Sequence, residues 1–188
     1  MIRPTLTFIA GANGAGKTTL TRWNSDLFTA IPLLNPDAVA NTLQSRASAL
    51  SPIAAARHVL DSAEKHLKNA QSFAIETTLA GRNYLQMMVR ARNCGFEVVL
   101  VYIGTENVDI NLVRIKNRVL AGGHDVPEED VRRRYRRSFE NLSAAIKRAD
   151  HVILFENSTA EGYRLIAILS ASGDQWFEPK PPWLVSAM

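Results

Sequence analysis

Eight residues near the N-terminus, Gly11-Ala-Asn-Gly-Ala-Gly16-Lys17-Thr18, constrain this chain more than any other segment. They satisfy the pattern G-x-x-x-x-G-K-[ST], and the flanks suit it. Thr5–Ala10 is a short β-rich apolar run that reads as a buried strand. Lys17–Trp23 holds neither Gly nor Pro and can wind as a helix. Glycines let the backbone curl until successive N–H groups face one point, and the helix N-terminus adds partial positive charge there. Such a loop implies a nucleoside triphosphate, bound by Gly11, Ala12, Asn13, Gly14, Ala15, Gly16, Lys17, Thr18 and Thr19. Lys17 is expected to reach the β- and γ-phosphates, and the Thr18 hydroxyl to hold Mg²⁺.

Length limits what can surround that loop. At 188 residues the chain is expected to be a single domain, residues 1–188, with at most a lid at about 114–137. The single Cys94 cannot form an internal disulfide, which suits a reducing cytosol. No signal peptide or long apolar span is visible, so a cytoplasmic protein without membrane contact is expected. The net charge is a modest +4, but basic residues concentrate between Arg114 and Arg148. Such a segment can meet nucleic acid or close over a polyanionic nucleotide, and the phosphate loop favours the second.

Apolar runs at Leu6–Ala10, Pro32–Leu34, Phe73–Ile75, Glu97–Ile103 and His151–Phe155 have strand length, and helical stretches separate them. The expectation is an α/β fold of the P-loop NTPase kind. Its sheet would be mainly parallel, with five or six strands ordered 2-3-1-4-5 and helices on both faces. Helices are predicted from Ser51-Pro52 to about Asn69, from Gly81 to near Gly95, and from Val108 to Leu120. Residues 122–127 interrupt the chain before a further helix. There Val131, Tyr135, Phe139, Leu142, Ile146 and Ala149 share one stripe. Arg133 and Arg137 fall opposite that stripe, while Arg132, Arg134 and Arg136 flank it and can turn toward a ligand. Tyr163–Leu169 reads as a late strand or a short helix, and the proline-rich end as extended chain. Trp23 reads as core, Trp176 and Trp183 as cover for a sheet edge, and His58 and His66 as solvated.

Missing motifs narrow the class. There is no D-x-x-G switch with an N-K-x-D guanine reader, and no L-S-G-G-Q signature. An AAA-type or helicase motor would need more chain. What remains is the small-molecule kinase class, a compact sheet with a mobile arginine-bearing lid. Phosphoryl transfer also needs a carboxylate near the acceptor hydroxyl and one for the metal. Asp37, in Asn35-Pro-Asp37 after the second strand, is a candidate base, or a cap for Ala38–Gln44. Glu76 ends the third strand, where a charge is costly unless it meets water, metal or a partner. Thr77 and Thr78 add hydroxyls beside it.

Gly11–Thr19, Asn35-Pro-Asp37, Glu76-Thr-Thr-Leu-Ala-Gly81 and Arg118–Pro127 with Arg133-Arg-Tyr together resemble the zeta toxin family, in its short bacterial form. The likeness runs from about Thr5 to Asn157. It implies ATP-dependent phosphorylation of a UDP-N-acetylamino sugar such as UDP-N-acetylglucosamine, and a small antitoxin protein as partner. It further implies that Asp37 takes the proton from the sugar hydroxyl and that Glu76 and Thr78 contact the sugar nucleotide. Two lid arginines would act on the transferring phosphate. Arg118 matches one, with Arg114 as its rival. For the second, His124 lies nearer the family position, while Arg133 and Arg134 lie a few residues on. Alternatives are a housekeeping or antibiotic phosphotransferase of similar build and, less favoured, a nucleic-acid-binding ATPase, since aromatic platforms for bases are scarce.

Overall fold

The apolar run before the glycine loop becomes the central strand of the sheet. In this computed structural model, residues 3–26, 31–35, 52–185 and 187 are described. Strand β1 (Thr5–Ala10) lies between parallel neighbours β3 (Phe73–Thr77) and β4 (Glu97–Gly104). The short β2 (Leu33–Leu34) pairs with β3, and β5 (His151–Glu156) with β4, both parallel. Strands β6 (Arg164–Ser170) and β7 (Gln175–Trp176) extend the sheet antiparallel, giving the order β2-β3-β1-β4-β5-β6-β7 over the described residues. The expected order is thus present, in a sheet of seven strands rather than five or six. The connection at 157–163 is too short for the crossover that a parallel strand requires, so β6 must run back along β5.

The helices are α1 (Lys17–Trp23), α2 (Pro52–Lys68), α3 (Arg82–Asn93), α4 (Val108–Leu120), α5 (Glu128–Ile146) and the short α6 (Pro182–Val185). Leu6, Phe8, Phe73, Ile75, Val98 and Leu100 are fully buried, and α3 adds Met87, Met88 and Ala91 to the same core. Helix α5 faces the core through Leu142 of the predicted stripe and through Ala145, which that stripe did not include, with Phe139 and Ile146 partly buried. Ser138 joins that face because its hydroxyl meets the Tyr102 hydroxyl at 2.9 Å. Burial pushes the Tyr102 phenol well above its ordinary range. The other end of α5 belongs to a separate cluster, in which Val131 packs with Leu112, Ile115 and Val126. No helix among the described residues is long and apolar enough to cross a membrane.

Several aromatic assignments change. Trp23 is 71% exposed. The buried residues of α1 are Lys17 and Thr21, and a position two residues after Thr21 lies about 200° around the helix, facing away. Trp183 is not an edge cover: α6 carries it into the core against Tyr102 and Phe139. Trp176 does lie on the edge strand, beneath the Lys180 ammonium at 4.6 Å. His66 is half-buried and stacks on Phe73, while His58 is exposed. Pro182 opens α6 instead of extending the chain, as a proline can at the first helical position.

Candidate phosphate-binding site

Strand order reverses at β1, with β3 on one side and β4 on the other, and the glycine loop leaves the C-terminal end of that strand. Open α/β sheets bind ligands at such a point. Lys17 lies 8% exposed at the first turn of α1, and its Nζ donates to the carbonyls of Gly11 at 2.8 Å and Ala12 at 3.0 Å. Glu76 stands next to the loop because β3 pairs with β1 in the register Ile9–Glu76. Glu76 is 5% exposed, and each carboxylate oxygen accepts one hydrogen bond: Thr18 Oγ1 donates to Oε1 at 2.7 Å and Asn35 Nδ2 to Oε2 at 2.8 Å. Thr18 is itself exposed, so a hydroxyl and a carboxylate meet at the open end of the loop. These are hard oxygen donors of the type Mg²⁺ takes.

Among the described residues, Arg134 of the arginine-bearing segment hydrogen-bonds the loop directly. Arg134 Nη1 donates to Asn13 Oδ1 at 3.4 Å, while its Nη2 lies 3.5 Å from Asp130. Of the three arginines predicted to flank the stripe, Arg132 pairs outward with Asp109 and Glu128, and Arg136 with Glu140. Arg133 is held by Asp130 at 2.7 Å. Arg114 Nη1 donates to the Asn157 carbonyl at 2.7 Å. Arg118 is exposed at the end of α4, its stem lying across Gly123, and His124 is exposed in the turn that follows. Thr78 is half-buried just past β3. Asp37 lies outside the described residues.

Beyond Thr78 the backbone takes an unusual form. Leu79, fully buried, has φ +58°, a left-handed conformation rare for a bulky residue. Its N–H is held by Thr77 Oγ1 at 3.0 Å and its carbonyl by Asn141 Nδ2 at 2.8 Å.

Contacts behind the loop were not anticipated from the sequence. Asn111 Nδ2 donates to the Asn13 carbonyl at 2.6 Å, Asn157 Nδ2 to that of Ala15 at 2.8 Å, and the Tyr163 hydroxyl to that of Gly16 at 2.6 Å. Burial raises the Tyr163 phenol above its ordinary value. The Tyr135 phenol, pushed up to about 12 chiefly by burial, donates to the Thr105 carbonyl at 2.7 Å. Asn111 carried a readable signal: an amide within the apolar face of α4, where short polar side chains are poorly suited. Asn157 and Tyr163 carried none that was local.

A family model described as AAA domain matches residues 6–142. A domain of this class fits within the chain's length, although an AAA-type motor was expected to need more residues. A Haemophilus influenzae protein described as uncharacterized is 38% identical over 128 residues, which is 68% of this chain and 90% of that protein. Among solved structures, the AvrRxo1-ORF1:-ORF2 complex with ATP is similar at TM-score 0.72 and 18% identity. That match takes in 93% of this chain but only 61% of the other, so this chain spans about three fifths of its length. A structure of the PezAT chromosomal toxin–antitoxin system of Streptococcus pneumoniae matches at TM-score 0.64 and 15% identity, over 97% of this chain and 76% of the other. The Pnkp1/Rnl/Hen1 RNA repair complex matches at 0.59 and 21%, over 78% and 47%. At these identities the likeness is one of fold, and the fold is P-loop kinase-like.

Proposed function

Because the chain belongs to the AAA domain family, with a P-loop kinase-like fold, we propose that it is an ATP-dependent phosphotransferase. Its acceptor is a hydroxyl of a nucleotide sugar such as UDP-N-acetylglucosamine. The observation that carries this reading is the Glu76 carboxylate, held between Thr18 of the phosphate loop and Asn35, the first residue of the Asn35-Pro-Asp37 motif. It ties the nucleotide loop to the two strand ends on which the acceptor residues are expected. One buried acidic group thus joins the phosphate loop to the strand end that precedes Asp37, and positioning of reacting groups supplies much of the barrier lowering in phosphoryl transfer.

In this mechanism the loop amides and Lys17 hold the β- and γ-phosphates. Thr18 and Glu76 would hold Mg²⁺, which neutralises charge on the phosphate oxygens when bound. Asp37 accepts the proton of the acceptor hydroxyl as its oxygen bonds to the γ-phosphorus, and the bond to the β–γ bridging oxygen breaks to release ADP. Arg134, with Arg118 from the end of α4, offsets the charge spread over the transferring group. Thr78, and His124 in the turn before α5, contribute to the acceptor side. Kinship of fold with the PezAT system and the four zeta-like motifs support the role of toxin in a toxin–antitoxin pair, acting in the cytoplasm with an antitoxin protein as partner.

The test is incubation with ATP, Mg²⁺ and a panel of nucleotide sugars, followed by mass spectrometry. A gain of one phosphoryl group on a UDP-N-acetylamino sugar is expected, and Asp37→Asn should remove it while ATP still binds. Transfer to a different small molecule would move the reading to a housekeeping or antibiotic phosphotransferase. Salt-sensitive RNA or DNA binding that survives Lys17→Ala would replace it with a nucleic-acid function.

A further inference from the structure

A phosphate loop works only if its N–H groups point at the ligand, and here that direction is set from behind. A peptide unit is planar and trans, so the carbonyl of one residue and the N–H of the next point in opposite directions. A group that grips the carbonyls of Asn13, Ala15 and Gly16 therefore aims the N–H groups of Gly14, Gly16 and Lys17. Among the described residues, Asn111, Asn157 and Tyr163 make these grips at 2.6, 2.8 and 2.6 Å.

Each gripping residue is itself held. Asn111 is fully buried, and its Oδ1 accepts from Thr105 Oγ1 at 2.6 Å. The Asn157 N–H donates to the Gly104 carbonyl at 3.0 Å, and its own carbonyl accepts from Arg114 at 2.7 Å. The Tyr163 ring lies edge-on to Phe155 and Trp23. The Gly16 carbonyl also accepts from the N–H groups of Thr19 and Leu20, so the Tyr163 hydroxyl fixes the first turn of α1 against the loop.

The approach is close enough to dictate glycine. A Cβ on Gly16 would lie 2.6 Å from both Asn157 Nδ2 and the Tyr163 hydroxyl, and a Cβ on Gly14 would lie 2.6 Å from the Asn111 carbonyl oxygen. These glycines make room for the grip as well as adopting φ of +108° and +79°.

We infer that Asn111, Asn157 and Tyr163 are positioning residues of the nucleotide site, which pre-aim three loop amides by holding three carbonyls outward. Donors fixed in advance lose little freedom when the phosphate arrives. Asn157 and Tyr163 lie beyond residue 142, where the family match ends, so this chain completes its phosphate site with a segment outside that match. The inference rests on the nucleotide reading of the loop.

Calorimetric titration of the full chain with ATP, with and without Mg²⁺, tests it. Tyr163→Phe removes one hydroxyl and keeps the ring. The ATP Kd should rise roughly five-fold, the worth of one net hydrogen bond, at a temperature where the variant remains folded. Asn157→Ser should do the same. If that variant does not fold, Tyr163→Phe decides alone. A role in stability only would lower the melting midpoint of the free protein and leave the Kd of the folded variant unchanged, and that result overturns the inference. Failure of the unaltered protein to bind ATP would instead remove the nucleotide reading, and the inference with it.

Discussion

The glycine loop is gripped by side chains from α4, from the end of β5 and from the turn before β6, whereas the helices carrying the arginines meet over a small cluster of their own. Behind the loop, Asn111, Asn157 and Tyr163 reach carbonyls at hydrogen-bond distance. In the arm, Leu112, Ile115, Val126 and Val131 form the contact between α4 and the start of α5. Beside them lie exposed ion pairs such as Arg132–Asp109 at 3.0 Å and Arg132–Glu128 at 2.8 Å. Pairs of this kind contribute about 0–1 kcal/mol each. The difference teaches how one chain combines a preset site with an adjustable one. Moving the loop means breaking buried hydrogen bonds, while moving Arg134 means giving up long contacts to Asn13 at 3.4 Å and Asp130 at 3.5 Å between partly exposed side chains.

That contrast breaks first at Lys17. Lys17→Ala should lower ATP-dependent transfer about a thousand-fold, at the upper end for loss of a charge-stabilising donor, and turnover retained in a phosphoryl-transfer assay would detach the loop from the chemistry. Arg134→Ala should lower kcat roughly a hundred-fold with ATP affinity little changed. An equal loss in Kd would instead assign Arg134 to the preset site. Glu76→Gln should weaken ATP binding roughly ten-fold in the presence of Mg²⁺ and leave metal-free binding close to normal, as read by parallel titrations. Val131→Ala should cost about 1.5 kcal/mol, the price of roughly two buried methylene groups. Hydrogen exchange should speed up in α4 and the first turns of α5 and stay unchanged in the sheet, and uniform acceleration would show that arm and sheet unfold as one unit.

Sequence patterns reached the fold where the forces are local. Apolar runs of strand length placed β1, β3, β4 and β5, and the helical stretch after β4 gave α4 its bounds, Val108–Leu120, because burial leaves an apolar pattern within the local sequence. Glu76 lies at the end of a buried strand, where a charge must find partners, and it finds Thr18 and Asn35. Trp23 was misplaced because a short helix following a loop has one buried face too narrow to show in seven residues. Asn157 and Tyr163 stayed hidden because their partners lie 142 and 147 residues away in the chain. Only the return of β6 along β5 brings Tyr163 to the loop, and the direction of that strand follows from a short turn rather than from any periodicity.

Leu79 imposes conflicting demands at a single backbone position. Its left-handed geometry would suit glycine, yet its side chain fills core space that glycine would leave empty. Exchange for glycine trades torsional relief for a void, and exchange for a β-branched residue worsens the torsion. Leucine there is a compromise that neither type of substitution improves, so a saturation library at this codon should return few variants more heat-resistant than the parent.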